Sequence, residues 1–300
     1  MKQLVVLSGK GGTGKTTVTA ALGHLAAQEL SVVLADGDVD AANLELVLEP
    51  RKLEEHDFVS GKRAVIDPER CTACGICESV CRFDAIQPPT VTSSREAYQV
   101  HGLSCEGCAA CFYQCPEEAI RMEDQLAGRW FRSESRFGPL FHAHLFAGQE
   151  NSGKLVTLVK QQGRLLASDT GAQLLLVDGP PGIGCPVISA SAGADMALLV
   201  VEPTVAGVHD LERVLGTTEH FGVPALVVLN KADLNPNRSD QVAAFCAENG
   251  IELVGRIPYD NIVTEAMVQG LPVTAYADGA VSAALRDVWE RVKIRLALET

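Results

Sequence analysis

A mostly parallel α/β fold, broken once by a cysteine-rich insert, is what the sequence predicts, and three observations carry it. A glycine-rich loop lies between a short apolar run and an alanine-rich stretch at the start of the chain. Four further apolar runs of strand length follow in the second half, with helical segments between them. Eight of the ten cysteines fall between positions 71 and 115, where the apolar periodicity is lost.

Residues 3–8 ("QLVVLS") read as a buried strand, because the apolar run is brief and ends in glycine. Lys15 to about Glu29 is rich in alanine and leucine and reads as a helix, and "SVVLADGD", from Ser31, is a second strand running into acidic residues. This strand–loop–helix–strand order begins a parallel sheet. The order stops between about Asp57 and Gly128. It resumes with "AQLLLVDGPPG" (172–182), "DMALLVVEPT" (195–204), "VPALVVLNKAD" (223–233) and "IELVGRIPYD" (251–260). The last helix, about Gly279 to Leu298, sets Val281, Leu285, Val288, Val292 and Leu296 on one stripe. That is ordinary core spacing, so a packed helix is expected rather than a membrane-binding tail. The expected domains are residues 1–56 and 129–300, two parts of one α/β domain, and residues 57–128, the insert.

Hydrophobic content of 47% with 21% charged residues fits a globular chain with a sizeable core. No apolar window reaches the length of a membrane span, and the N-terminal "LVVL" is too short for a signal-peptide core. A cytoplasmic protein without a stable membrane anchor is expected. A net charge of −13 opposes binding to nucleic acid or to an anionic bilayer. Ten cysteines in such a chain point to metal or redox chemistry rather than a disulfide scaffold.

"GKGGTGKT" (9–16) matches the phosphate-loop pattern G-x-x-x-x-G-K-[ST] between a strand and a helix, the setting that the motif requires. Its glycines let backbone N–H groups turn toward phosphate oxygens. Gly11, Gly12, Thr13, Gly14, Lys15, Thr16 and Thr17 are the expected nucleotide contacts, with Lys15 on the β- and γ-phosphates and Thr16 on Mg²⁺.

Lys10, directly after the first glycine, makes this loop resemble the deviant Walker A of the MinD/ParA/Mrp (SIMIBI) ATPases. The resemblance implies that Lys10 acts across a nucleotide-dependent dimer, formed by two copies or with a close paralogue. It extends to "LADGDVDAANLEL" (34–46), where Asp38 would position the attacking water near Mg²⁺, with Asp36 in support and Asp40 a second choice. In "LLLVDGPPGIGCPV" (174–187), Asp178 would hold Mg²⁺ through water and Gly182 would offer an N–H to the γ-phosphate. "NKAD" (230–233) reads like a guanine-recognition motif, with Asn230 on the base and Asp233 selecting guanine. MinD-type ATPases, however, carry an asparagine and a basic residue here, matched by Asn230 and Lys231, and bind adenine. "IPYDNIVTEAMVQG" (257–270), with Pro258, Tyr259 and Asp260, also resembles their adenine-packing segment, so ATP is the expected nucleotide.

Cys71, Cys74, Cys77 and Cys81 are spaced C-x₂-C-x₂-C-x₃-C, and Cys105, Cys108, Cys111 and Cys115 repeat that spacing 34 residues later. Each run continues to an Ala–Ile pair. The insert strongly resembles a bacterial two-cluster ferredoxin, in which the fourth cysteine of each run serves the other cluster. The resemblance implies one [4Fe–4S] cluster on Cys71, Cys74, Cys77 and Cys115 and another on Cys105, Cys108, Cys111 and Cys81. Zinc is the competing metal, but two C-x₂-C-x₂-C rows are unusual for it. Arg82 stands where a proline usually follows the fourth cysteine, in contrast to Pro116. Cys246 reads as a buried helix residue, and Cys185 lacks the second cysteine that a cluster shared between subunits would need. His142 and His144 would share one face of a strand, with too few ligands in view for a metal. "ENSGKLV" (150–156) resembles a segment of ferredoxin-containing MinD-like ATPases, but gives Lys154 no role.

The whole chain resembles MinD/Mrp-type ATPases with an inserted ferredoxin, a group often given the label cobyrinic acid a,c-diamide synthase-like; that synthase activity is not expected, since 300 residues leave no room for an amidotransferase domain. The leading expectation is an ATPase coupling dimerisation to electron transfer toward an unidentified redox or target protein. The alternatives are an iron–sulfur carrier or assembly ATPase, and a MinD-like positioning ATPase whose insert docks a partner.

Overall fold

The computed structural model describes residues 1–89, 97–149 and 151–298. The chain divides into two compact units: residues 1–56, 130–144 and 152–300 form the first, and 57–129 with 145–151 form the second. Segment 145–151 thus joins the second unit, although it lies in the range expected for the α/β domain.

The first unit opens with β1 (Lys2–Ser8), α1 (Lys15–Ala27), β2 (Val32–Asp36) and α2 (Leu44–Leu48). Every residue of β2, and all of β1 after Lys2, is buried, as continuous apolar runs in a parallel sheet covered on both faces should be. β3 (Arg51–Ile66) begins in the first unit and ends in the second. The second unit holds α3 (Ile76–Ser79), β4 (Ile86–Gln87), β5 (Gln99–Val100) and α4 (Ala110–Gln114), with β4 and β5 paired antiparallel. β6 (Ile120–Ser135) returns to the first unit, where a two-residue turn leads into β7 (Gly138–Leu145).

The remaining elements are α5 (Ser152–Thr170), β8 (Leu174–Pro181), α6 (Cys185–Ser191), β9 (Met196–Val201), α7 (Gly207–His220), β10 (Ala225–Asn230), α8 (Pro236–Glu248), β11 (Glu252–Ile257), α9 (Ile262–Val268), α10 (Val273–Tyr276) and α11 (Ala280–Leu296). All four apolar runs in the second half are strands. The sheet order is β11-β10-β9-β1-β8-β2-β7-β6-β3. From β11 to β7 each neighbouring pair is parallel. On α11 the stripe Val281, Leu285, Val288, Val292 and Leu296 is buried, and Trp289 joins it in the core. No helix among the described residues is long and apolar enough to cross a membrane.

β3 and β6 were not legible in the sequence. The first seven residues of β3 are exposed, so no buried face imposes an alternating apolar pattern.

Candidate nucleotide site and thiol cavities

The parallel sheet brings its acidic strand ends together. β8 lies between β1 and β2, and its Asp178 is paired with Val6 on one side and Asp36 on the other. The loop from Gly9 to Gly14 leaves the end of β1 and enters α1 through Gly14, whose φ is 91°. A Cβ at Gly14 would lie 2.3 Å from Asn230 Nδ2, so both conformation and space demand glycine. Asn230 Nδ2 in turn donates to the Thr13 carbonyl at 2.8 Å, bracing the loop.

A cavity of about 850 Å³ opens beside this loop. Gly11, Gly12, Gly14, Lys15, Thr16 and Thr17 line it together with Asp38, Asp40, Asn230, Lys231, Pro258, Tyr259 and Asp260. The Thr16 hydroxyl donates to Asp178 Oδ2 at 2.7 Å, while Thr19 donates to Oδ1 at 2.9 Å. Thr16 and Asp178 therefore converge on one point, as two groups serving one Mg²⁺ would. Burial pushes the Asp178 carboxyl up to about 6, against the pull of Thr16, Lys15 and Thr19. Burial and the neighbouring Asp178 also hold Asp36 well above the usual carboxylate range. Asp36 accepts the N–H groups of Asp38 and Leu44, both at 3.0 Å, and so shapes the loop that carries Asp38. Burial raises Asp38 as well, opposed by Lys15.

Among the expected residues, Lys10, Thr13, Gly182 and the buried Asp178 do not line this cavity. Thr13 is buried beneath the loop, and Gly182 donates its N–H to the Ser8 carbonyl at 2.9 Å rather than into the cavity. Lys10 reaches Thr204 Oγ1 at 3.2 Å and Glu202 at 3.5 Å within its own chain. Glu202 also holds Lys231 at 2.5 Å. Sequence reading missed Glu202; its signal was an acid just past a parallel strand, the end of the sheet where ligands bind. Asp233 accepts the Tyr259 N–H at 2.6 Å and is not part of the cavity wall. Cys185, exposed, opens α6, whose C-terminal end is held by the buried Lys160 through the carbonyls of Ser189, Ala190 and Ala192. Cys246 is buried on α8.

In the second unit the sequence repeat is also a repeat of backbone and burial. Left-handed residues recur at Ala73 and Gly107, at Gly75 and Ala109, and at Asp84 and Glu118, each pair 34 positions apart. Cys77 and Cys111 are buried, Cys74 and Cys108 exposed, and the other four intermediate. A small cavity is lined by Cys71, Cys74, Cys77 and Cys115, and a second by Cys81, Cys105, Cys108 and Cys111. Among the described residues no three thiols lie within 4.8 Å of one another. Four thiolates on one zinc, at ~2.3 Å from the metal, would stand only ~3.8 Å apart. Burial pushes the Cys77 thiol up to about 11 and raises Cys111 too, so their thiolates need a compensating cation.

Fold and cavity together define a P-loop nucleotide-binding protein. More narrowly, residues 4–273 match the family described as the CobQ/CobB/MinD/ParA nucleotide binding domain, and the chain belongs to that family. An uncharacterized protein of Methanocaldococcus jannaschii is 29% identical over 291 residues, 97% of this chain and 96% of that protein. Among solved structures, the septum site-determining protein MinD complexed with Mg-ADP from Pyrococcus horikoshii is similar, with a TM-score of 0.58 at 20% identity, covering 97% of this chain and 95% of that one. A MinC:MinD cell division protein complex from Aquifex aeolicus also matches, with a TM-score of 0.58 at 21% identity over 97% and 96% of the two chains. At these identities the structures speak for the fold. Family membership supports ATP hydrolysis at the level of the family.

Proposed function

We propose that this chain is a Mg·ATP-driven switch that dimerises on ATP and uses its cysteine-rich unit to engage a target protein. The observation that carries the reading is the meeting of Lys15, Thr16 and Asp38 around one cavity, with the Thr16 hydroxyl hydrogen-bonded to the buried Asp178 behind it. Lys15 neutralises the phosphates, Thr16 and Asp178 hold Mg²⁺, and Asp38 orients the attacking water. Adenine is favoured over guanine because Asp233, the acid that would select guanine, is occupied by Tyr259. Likeness to MinD, solved with Mg-ADP and in a complex with MinC, supports a nucleotide-controlled protein partner. The test is light scattering of wild type, Lys15→Ala and Asp38→Asn with Mg·ATP or Mg·ADP. Asp38→Asn should stay dimeric in ATP and monomeric in ADP, while Lys15→Ala should ignore both. An unchanged mass in all states, with no ATP hydrolysis by wild type, sinks the proposal.

A second reading is favoured by the two thiol cavities. Each gathers three cysteines of one run and the fourth of the other, which is the ligand sharing of a two-cluster ferredoxin. No three of the described thiols fall within 4.8 Å of one another, whereas four thiolates on one zinc would stand about 3.8 Å apart. On this reading Cys71, Cys74, Cys77 and Cys115 hold one [4Fe–4S] cluster and Cys105, Cys108, Cys111 and Cys81 the other. The clusters supply one-electron chemistry, and nucleotide state would gate electron transfer to the target. Anaerobic reconstitution should give about eight iron and eight sulfide per chain. An EPR-monitored redox titration of Asp38→Asn should then shift by about 59 mV for each tenfold change in ATP affinity between redox states. A reconstituted chain without iron would leave the docking reading alone.

A further inference from the structure

His142 and His144 stand on one face of β7, His142 wholly buried and His144 about half exposed. The sequence offered no third ligand, but the fold supplies one. Glu45, on the first turn of α2, places Oε2 2.9 Å from His142 Nδ1 and Oε1 3.0 Å from His144 Nε2. All three ligand atoms fall within 4.8 Å of one another. On its other side His142 meets the Ser133 hydroxyl through Nε2 at 2.9 Å, and its ring stacks on Phe131.

The His142–Glu45 contact is close but too bent for a hydrogen bond, which leaves the buried Nδ1 without a hydrogen-bonding partner. A buried ring nitrogen with its second nitrogen held by a hydroxyl is the arrangement of a metal-bound imidazole with an outer-shell support. We propose that Glu45, His142 and His144 bind a divalent transition ion of the zinc type, at a site distinct from both the nucleotide cavity and the thiols. Two imidazoles and a carboxylate suit zinc, cobalt or nickel better than magnesium or calcium. The exposed side of His144 leaves room for water as a fourth ligand. The nearby cation is Lys52, whose ammonium lies 3.9 Å from the centroid of the Phe131 ring on which His142 stacks. An ion here fastens α2 to β7, and Asp36 already ties the start of α2 to the end of β2. The segment between carries Asp38.

The experiment is zinc binding by the full chain, wild type against Glu45→Gln and His144→Ala, measured by equilibrium dialysis. Wild type should bind one more zinc per chain than either variant, whose affinity for that equivalent should fall at least about a hundredfold. The thiols also take zinc, so wild-type crystals soaked in zinc and measured at its absorption edge provide the second arm. An anomalous peak should lie among Glu45, His142 and His144. Equal zinc contents in folded wild type and variants, or anomalous density confined to the cysteines, overturns the site. If a variant fails to fold, the wild-type map alone decides.

Discussion

Replacing Gly14 by alanine tests how the phosphate loop is held. Alanine at φ 91° carries left-handed strain of about 1–2 kcal/mol. Its Cβ would also stand 2.3 Å from Asn230 Nδ2, forcing that amide off the Thr13 carbonyl. Leaving a buried carbonyl unpaired costs about 1–3 kcal/mol. Together the loss is about 2–5 kcal/mol. At ~2.1 cal/mol/K per residue, a chain of this length shifts roughly 1.6 °C in Tm per kcal/mol, so Gly14→Ala should melt about 3–8 °C lower. The sharper assay is a double-mutant cycle by urea unfolding, followed through Trp130 and Trp289, which both lie in the first unit. Asn230→Ala alone should cost about 1–3 kcal/mol. In that background Gly14→Ala meets no clash and should add only the backbone strain. The double variant should therefore be about 1–3 kcal/mol more stable than the two single losses added together. Additivity within about 0.5 kcal/mol would refute the claim that Asn230 and Gly14 compete for one space.

Glu202→Gln removes the charge that holds Lys10 and Lys231, so ATP-dependent dimer should form at several-fold lower protein concentration; unchanged dimerisation would show that Glu202 restrains nothing. Cys77→Ser should lower bound iron after reconstitution by about half, whereas Cys246→Ser, outside the thiol cavities, should leave it unchanged. His24 donates a pH test. Burial and then Arg286 lower its pKa from 6.5, so the unfolded chain binds more protons and stability is lost as pH falls below about 6.5. His24→Gln should flatten that slope in urea midpoints between pH 5 and 7, and an equal slope in both proteins would exclude His24 as its source.

The nucleotide site was legible because its signals are local. Gly14, Lys15 and Thr16 are adjacent in the chain, and Asp178 follows the apolar run Leu174–Val177 of β8, whose burial on both faces writes it as a continuous run. Charge-rich β3 lacked such a signal because one face or both meet solvent. The repeat of cysteines was equally plain, but nothing in their spacing alone fixed which run supplies the fourth thiol of each cavity. Folding decided that, by bringing Cys115 to Cys71, Cys74 and Cys77, and Cys81 to Cys105, Cys108 and Cys111. The same holds for Lys10, which sequence motif sends outward and Glu202 holds at home. Glu45 lies almost a hundred residues before His144, and only the packing of α2 beside β7 makes them neighbours. Short-range chemistry is written in consecutive residues; contacts between distant segments exist only once the sheet order β8-β2-β7 has set them side by side.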